Sequence, residues 1–263
     1  MGVGLPGSSK NKMISNKVIV IIPARGGSKG IPRKNIRSFG GYPLLAYSIA
    51  AGLAAETVQR VIVSTDDEEI AQVAQSFGAE VPFLRPSEFA QDRTPDLPVF
   101  QHALSWLAEN ESYQPDIVVQ LRPTSPFRRV SHVDQAVYRL VERPQADSIR
   151  AVCVPFQNPF KMWRVEVDGF MRPLLETQFK EPYNMPRQEL PEVFWQTGYV
   201  DAAWADTITS KNSMTGDFIL PLIIDPSEWI DIDSLDDWQR AERMLERGEI
   251  GFEELGFEIR QIR

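Results

Sequence analysis

A glycine-rich segment near the start of the chain carries the side chains best suited to bind phosphate. Residues 23–37, PARGGSKGIPRKNIR, contain no acidic residue and five basic ones, Arg25, Lys29, Arg33, Lys34 and Arg37. Glycine permits backbone conformations in which consecutive N–H groups point inward around phosphate oxygens, and Arg and Lys add charge-assisted hydrogen bonds. The spacing matches neither the Walker A loop nor the dinucleotide-binding glycine motif. The segment therefore predicts a polyphosphate site of another kind; the alternative is a solvated basic loop.

A second segment near the end of the chain has the opposite charge. Residues 228–237, EWIDIDSLDD, contain five acidic residues and no basic one. Asp231 and Asp233 are two positions apart, so in an extended backbone both carboxylates face the same side. Hard divalent cations such as Mg²⁺ prefer such oxygen ligands, and two adjacent carboxylates repel each other without a cation. We therefore expect Asp231 and Asp233 to bind Mg²⁺, while Asp236 and Asp237 stabilise the start of a helix.

The order of strands and helices indicates how these two segments are positioned. Runs of β-branched residues predict strands at 17–23, 60–65, 80–84, 116–121 and 147–154. Helical spacing of apolar residues predicts helices at 43–55, 66–77 (with Thr65 or Asp66 as its cap), 97–110 and 130–142. This alternation predicts an α/β fold with a mostly parallel sheet between two layers of helices. Such sheets bind ligands at the carboxyl ends of their strands, and the basic segment directly follows the first strand.

The pattern changes in the second half of the chain. A Pro-rich, aromatic stretch at about residues 157–191 contains two short alternating segments, which predicts an insertion that projects from the sheet. Strands return at 193–204 and 219–225, and a capping box at Ser234 and Asp237 begins a last helix that ends near Gly248. We therefore assign residues 17–248 to one domain, residues 1–16 to a flexible leader and residues 249–263 to a tail without an assigned role.

Composition excludes several classes of protein. The 263 residues carry a net charge of −8, which argues against a general nucleic-acid-binding protein. Hydrophobic residues make up 43 %, enough for one sizeable core, and no apolar run is long enough to span a bilayer. Cys153 is the only cysteine, so no intrachain disulfide or cysteine-based zinc site can form. We expect a cytoplasmic protein with neither a nucleic-acid nor a membrane partner.

Five segments together resemble the acylneuraminate cytidylyltransferases, also called CMP–sialic acid synthetases. They are IIPARGGSKGIPRKNI, VSTDDEEIA, FGAEVPFLRP, LRPTSPFR and WIDIDSLDDWQRAE, and they occur in the same order as in that family. The resemblance extends over about residues 17–245. It implies a Rossmann-like nucleotidyltransferase domain with a small projecting dimerisation element, and a homodimer. It also implies that CTP and Mg²⁺ are used to activate a nonulosonic acid, a nine-carbon 2-keto sugar acid, as its CMP-sugar with release of pyrophosphate.

The resemblance also implies roles for particular residues. The nucleotide-binding set would be Ala24, Arg25, Ser28, Lys29, Lys34, Asn35 and Arg85. The catalytic set would be Arg25, Lys29, Lys34 and Asp231, with Asp231 and Asp233 as the metal ligands. The sugar-binding set would be Arg122, Lys161, Arg187 and Gln188, and the resemblance allows Lys161 and Arg187 to be donated across the dimer interface. The basic residues Arg25, Lys29 and Lys34 would stabilise the negative charge that develops on the leaving pyrophosphate.

Departures from the family pattern lie on the sugar side. Arg122 stands where the sialate enzymes commonly have Gln, and TGYVDA at 197–202 stands where they commonly have Asn-Gly-Ala. The choice of acceptor therefore stays open between N-acetylneuraminate, a related acid of the legionaminate or pseudaminate type, and a 3-deoxy-2-keto acid. Arg122 could pair with the sugar carboxylate or belong to a structural ion pair. His102 and His132 are expected to be packed helical residues, and no general base is evident.

Two other functions remain compatible with the sequence. A nucleotidyltransferase of the same fold could act on another sugar acid or a sugar 1-phosphate with the same basic loop and carboxylates. A non-catalytic nucleotide-sugar-binding module could retain the charges without the reaction. The identity of the acceptor distinguishes the first alternative from a nonulosonic-acid cytidylyltransferase. The second alternative, a binding module, would release no pyrophosphate.

Overall fold

A computed structural model describes residues 15–248 and 255–256 of the chain. The strands in chain order are β1 Val18–Pro23, β2 Ser38–Phe39, β3 Tyr42–Pro43, β4 Arg60–Ser64, β5 Ile117–Gln120, β6 Ser148–Cys153, β7 Trp163–Val165, β8 Met171–Pro173, β9 Trp195–Trp204 and β10 Ile219–Ile223. The α-helices are α1 Leu44–Ala54, α2 Glu68–Ser76, α3 Asp96–Glu111, α4 Val130–Glu142, α5 Ala205–Thr209 and α6 Leu235–Glu246. Most of the proposed leader (residues 1–14) and of the proposed tail (249–254 and 257–263) lies outside the described residues.

The central sheet has six strands in the order β10-β6-β9-β5-β1-β4. β1 pairs in parallel with β4 and β5, and β10 pairs in parallel with β6. β9 is antiparallel to both of its neighbours, so it alone among these six runs in the opposite direction. The prediction of a mostly parallel sheet is confirmed. The reversal arises because β6 and β9 are the two arms of a long hairpin-like connection, and adjacent antiparallel strands need no crossover.

The sheet is covered on both faces, as the continuous burial of β1 and β5 indicates. Val20 and Ile22 of β1 pack in one apolar cluster with Ile49 of α1, on one face of the sheet. Ile21 of the same strand packs in a second cluster with Phe100 of α3, on the other face. Successive side chains of a strand point to opposite faces, so one continuous β-branched run serves both clusters. The three-layer architecture is therefore confirmed.

Two local predictions were wrong. Residues 80–84 form no strand and make only isolated bridges, Ile62 with Glu80 and Thr65 with Leu84. Pro82 interrupts this segment and cannot donate a ladder hydrogen bond. The cap of α2 is Asp67, whose side chain accepts from the backbone N–H of Ile70, and not Thr65 or Asp66.

The insertion at residues 157–191 lies outside the central sheet. Within it, β7 and β8 pair as a separate two-stranded antiparallel sheet. The chain then returns to the main sheet through β9, and α6 begins with the predicted capping box between Ser234 and Asp237. Gly248 follows α6 with a positive φ of 65°, as expected where a helix ends. Among the described residues, no helix is both long enough and apolar enough to cross a membrane.

Candidate active site

A cleft of about 520 Å³ lies beyond the carboxyl ends of β1 and β5. Nine of the residues singled out in the sequence line it, namely Arg25, Ser28, Lys29, Lys34, Asn35, Arg85, Arg122, Asp231 and Asp233. The fold thus brings the basic segment and the acidic segment, which are about 200 residues apart, to the two sides of one cavity. This position is the ligand-binding edge expected of an open α/β sheet.

The basic loop is held in shape by hydrogen bonds to its backbone. The N–H of Ala24 donates to the carbonyl of Ser64 at 2.9 Å, and the N–H of Gly26 donates to Asp66 Oδ1 at 3.0 Å. Asn35 is buried, and its Nδ2 donates to the carbonyl oxygen of Arg25 at 2.9 Å. Ala24 itself is fully buried and does not line the cleft. These hydrogen bonds hold the loop in a defined conformation, which argues against the alternative of a solvated basic loop.

Glycine is required where the basic loop meets the acidic segment. A Cβ atom at Gly30 would lie 2.5 Å from the backbone carbonyl oxygen of Asp233. Lys34 connects the same two segments from its side chain, since Nζ donates to the carbonyl of Ile232 and to Asp233 Oδ1, both at 2.9 Å. The two oppositely charged segments are thus in direct contact, and Lys34 is the cation that links them.

The acidic pair has the arrangement expected from its spacing. Ile230 and Ile232 are buried in an apolar cluster, while Asp231 and Asp233 line the cleft. Burial raises the pKa of Asp231, and the neighbouring charge of Asp233 raises this pKa further. Within the described part of the chain, Asp231 Oδ1 is buried without a hydrogen-bond partner. A buried, unpartnered carboxylate oxygen beside a second carboxylate suits a divalent cation.

These two carboxylates would be an incomplete metal site by themselves. No group of three or more His, Cys, Asp or Glu side chains that could hold a metal occurs among residues 15–248 and 255–256. Mg²⁺ is commonly held by one or two carboxylates together with substrate phosphates and water. The donor set therefore fits a cation that is bound together with a nucleotide.

Arg85 has the character of a buried recognition group. It is only 6 % exposed, and burial lowers the pKa of its guanidinium. Its nearest carboxylate is Asp66, with 3.8 Å between Arg85 NH2 and Asp66 Oδ1. Its Nε and NH2 groups have no hydrogen-bond partner among the described residues. Buried donors without partners are unfavourable unless a ligand accepts from them, so Arg85 is suited to bind an anionic or polar ligand.

Two acidic residues of the cleft were missed in the sequence. Asp92 accepts from Arg25 NH1 at 3.0 Å and also pairs with Lys29, which lowers the pKa of the Asp92 carboxyl. Asp96 accepts from Arg122 NH2 at 2.6 Å, so the structural ion pair considered for Arg122 is present. Neither acid belongs to a charge run or a recognisable motif; only the contacts across the fold identify them.

The remaining predicted sugar-binding residues do not line the cleft. Lys161 donates to the carbonyl of Met185 at 2.7 Å, within the insertion. Arg187 donates to the carbonyls of Phe156 at 3.2 Å and Pro155 at 2.5 Å. Gln188 is exposed. Within this chain, these three side chains therefore belong to the insertion and not to the cavity that holds the charged loop.

The histidines behave as expected for packed helical residues. His102 on α3 stacks edge-on against Phe83, with 4.8 Å between the ring centres, and burial lowers its pKa. His132 on α4 lies against Tyr199, and burial lowers its pKa also. Neither ring lines the cleft.

The family model for cytidylyltransferases matches residues 19–177 of the chain. The N-acylneuraminate cytidylyltransferase of Escherichia coli O18:K1:H7 is 44 % identical over 131 residues, which are 49 % of this chain and 30 % of that protein. The CMP-N,N'-diacetyllegionaminic acid synthase of Legionella pneumophila is 31 % identical over 231 residues, which are 88 % of this chain and 97 % of that protein. The first match is therefore local, while the second extends over nearly both whole chains.

Solved structures agree with this assignment at the level of the fold. A CMP:2-keto-3-deoxy-manno-octonic acid synthetase complexed with CTP superposes with a TM-score of 0.66 at 17 % identity, covering 89 % of this chain and 100 % of that one. A 4-diphosphocytidyl-2C-methyl-D-erythritol synthase from Anaerococcus prevotii superposes with a TM-score of 0.62 at 13 % identity, covering 90 % and 100 %. The chain is thus a nucleotidyltransferase and belongs to the cytidylyltransferase family, together with the N-acylneuraminate cytidylyltransferases that its motifs resemble.

Proposed function

We propose that this protein transfers CMP from CTP to the anomeric hydroxyl of a nonulosonic acid and releases pyrophosphate. The observation that carries the proposal is the contact between the basic loop and the Asp231–Asp233 pair, which Lys34 bridges inside one cleft. A triphosphate and a divalent cation require just such a combination of cations and carboxylates in one place. The relatives named for CMP-sugar synthesis supply the chemical class of the acceptor.

The nucleotide side of the reaction uses the loop. The acceptor hydroxyl attacks the α-phosphorus of CTP in line with the bond to the β-phosphate, and pyrophosphate leaves as that bond breaks. Negative charge then grows on the leaving group, where Arg25, Lys29 and Lys34 stabilise it electrostatically. Ser28 and the loop backbone contact phosphate. Ala24, whose N–H donates to Ser64, and Asn35 keep the loop in shape, and Arg85 binds the nucleotide through its unpartnered donors.

Mg²⁺ is the cofactor that the acidic pair would hold, through Asp231 and Asp233. When bound there, it would neutralise α-phosphate charge and lower the pKa of the attacking hydroxyl. The chain's own contribution is to keep the Asp231 carboxylate half-buried at the cleft by packing Ile230 and Ile232 in the apolar cluster behind it. Lys34 keeps the second carboxylate, Asp233, next to the loop.

The acceptor side is proposed to be completed in a homodimer. Arg122 is in the cleft, whereas Lys161, Arg187 and Gln188 lie on the insertion. Large apolar side chains are exposed on or beside the insertion, among them Phe156, Val165, Phe170, Met171 and Trp195. Val165 and Met171 are paired neighbours across β7 and β8, and exposed apolar side chains that lie side by side are characteristic of a protein interface. A partner copy seated on it would bring its own Lys161 and Arg187 towards the sugar.

We favour an acid of the legionaminate or pseudaminate type over N-acetylneuraminate. A relative that covers 88 % of the chain is named for N,N'-diacetyllegionaminic acid, and the N-acylneuraminate match spans 49 % of this chain. Arg122 and the TGYVDA segment, both departures from the sialate pattern, meet in space, because Gly198 packs against the Arg122 side chain. The reaction would take place in the cytoplasm, where CTP is available.

A pyrophosphate-release assay with CTP, Mg²⁺ and a panel of acids tests the proposal. The panel contains N,N'-diacetyllegionaminic acid, pseudaminic acid, N-acetylneuraminic acid and 2-keto-3-deoxy-manno-octonic acid, with a hexose 1-phosphate as the contrasting acceptor. We expect acid-dependent release with at least one nonulosonic acid and none with the sugar phosphate. Protection of the protein by CTP against thermal unfolding, without release for any acceptor, would instead indicate a binding module.

A further inference from the structure

We propose that Asp96 is a positioning residue for the sugar acid, which it serves by fixing the guanidinium of Arg122 in the cleft. Asp96 Oδ2 accepts one hydrogen bond from Arg122 NH2 at 2.6 Å and another from Gln120 Nε2 at 2.9 Å. Both Asp96 and Arg122 line the cleft. The inference rests on the proposed function, in which Arg122 contacts the acceptor.

Asp96 is itself held in place from two directions. It is the first residue of α3, where the helix dipole favours a negative charge. Gln120, the last residue of β5, is only 2 % exposed, so its amide donates from a fixed position in the sheet. The carboxylate is therefore a rigid acceptor and not a mobile surface charge.

The remainder of Arg122 is fixed independently of Asp96. Its carbonyl oxygen accepts from Ser48 Oγ at 3.1 Å and from NH2 of the fully buried Arg128 at 2.9 Å. Its stem packs on Gly198, where a Cβ atom would lie 3.2 Å from Arg122 Cδ. Gly198 also has a positive φ of 66°, which disfavours any other residue there.

The guanidinium of Arg122 packs beside Gly198, and Asp96 holds it by a hydrogen bond. Within the described residues, Asp96 is the only side chain that accepts a hydrogen bond from Arg122, and Arg122 Nε is buried without a partner. An arginine has five N–H donors, so this pairing leaves others for a ligand. An oriented guanidinium loses less conformational entropy when an acceptor binds than a mobile one does. Asp96 therefore strengthens acceptor binding although it carries a negative charge.

The opposite role would be competition, in which the Asp96 carboxylate takes the N–H groups of Arg122 and the sugar acid must displace that carboxylate to bind. The two roles predict opposite signs for Asp96→Ala. Positioning predicts that the KM for the acid rises about tenfold or more while the KM for CTP changes less than about twofold. Competition predicts that the KM for the acid falls. The acid varied is N,N'-diacetyllegionaminic acid, or another member of the panel if the wild type turns it over faster.

Two further variants separate positioning from a merely structural effect. Asp96→Asn retains an oxygen that can accept from Arg122, and we expect it to recover most of the loss. Asp206→Ala is the matched control, since Asp206 is an exposed acid in the first turn of α5 that does not line the cleft; we expect unchanged kinetics. Asp96→Ala combined with Arg122→Ala should be no worse than Arg122→Ala alone, because Asp96 acts through Arg122.

Additive losses in the double variant, a lowered KM for the acid, or a raised KM for CTP would each overturn the inference. An NMR measurement of the Arg122 Nε–H group needs no acceptor, and it should show greater mobility in Asp96→Ala than in the wild type. Equal order in the two proteins would overturn the inference whatever the substrate. If the wild type releases no pyrophosphate with any acid, the proposed function fails, while this measurement still tests the role of Asp96.

Discussion

The proposed nucleotide end of the cleft (the loop at residues 23–37 with Asp231 and Asp233) and the insertion at residues 157–191 differ in what their charged side chains contact. At the nucleotide end, Lys34 joins the two segments and Gly30 allows their backbones to touch. On the insertion, the hydrogen bonds that Lys161 and Arg187 make to described residues go to carbonyls of nearby segments, and neither side chain lines the cleft. In the proposed function, one chain would therefore assemble the site for CTP, whereas the site for the acceptor would need parts that one chain does not bring together.

The largest effect is expected at the metal pair. Asp231→Asn keeps the size of the side chain but removes the charge that would hold Mg²⁺. We expect acid-dependent pyrophosphate release to fall at least about a hundredfold, in the range seen when a key electrostatic group is removed. Asp236→Asn, in the exposed first turn of α6, is the matched control and should retain wild-type turnover. Wild-type-like turnover by folded Asp231→Asn would show that the reaction does not need a metal held by Asp231.

A smaller effect is expected on the insertion, and its form is diagnostic. Arg187→Ala should raise the KM for the acid about tenfold and leave the KM for CTP unchanged, because Arg187 would act only on the acceptor. A mixed dimer of one Arg187→Ala chain and one Lys29→Ala chain should then contain one complete site. We expect it to show about half of the wild-type activity per dimer. If the activity that remains in the mixed dimer shows the raised KM of Arg187→Ala, Arg187 acts in the site of its own chain. An unchanged KM for the acid in the Arg187→Ala homodimer would place Arg187 outside the site altogether.

A substitution at Asp92 is expected to lower a KM by a few fold, whereas the substitutions above impair the reaction. This carboxylate accepts from Arg25 and pairs with Lys29, so it competes with a triphosphate for both cations. Asp92→Asn should lower the KM for CTP about two- to fivefold, the range of an exposed ion pair, and the gain should shrink as salt is added. An increase in the KM for CTP would mean that Asp92 orients the cations and does not compete.

No effect on activity is expected at the other end of the sheet. Asp147 accepts from Lys211 Nζ at 2.5 Å and from the N–H groups of Asp217 and Phe218. These bonds lower the pKa of Asp147 to about 2 from its ordinary value of 3.8. The stabilisation is therefore complete above the ordinary value and is lost as the pH falls through about 2.

Lys211→Met removes the largest contribution to that low pKa. Acid unfolding of the variant, followed by circular dichroism, should begin at a higher pH than in the wild type, while the kinetics at neutral pH stay the same. A change in the KM for either substrate would show that the Asp147–Lys211 pair influences the cleft at the other end of the sheet.

The sequence predicted the parts of the site that have local signals. The loop at 23–37, the alternation of Asp231 with Ile230 and Ile232, and the capping box at Ser234 each depend on neighbours within a few residues. Periodicity also predicted most helices and strands, since one buried β-branched run can serve both faces of the sheet. The direction of β9 was beyond such reasoning, because an apolar run reads alike in parallel and antiparallel strands.

Asp92 and Asp96 could not be found by the same reasoning. Their partners lie 67 and 26 positions away along the chain, and an Asp in a loop or at a helix start is ordinary by itself. Arg85 was assigned from the family motif, but the burial that gives it unpartnered donors appears only in the fold. Contacts between distant segments thus supplied what periodicity and motifs lacked.

Phosphorus NMR of a reaction containing the wild-type protein, CTP, Mg²⁺ and N,N'-diacetyllegionaminic or pseudaminic acid tests the central claim most directly. We expect the three CTP resonances to disappear together while one phosphodiester resonance, that of the CMP-sugar, and the resonance of pyrophosphate grow in equal molar amounts. CTP that stays intact with every acid of the panel, or that is converted to CDP and phosphate, would contradict it.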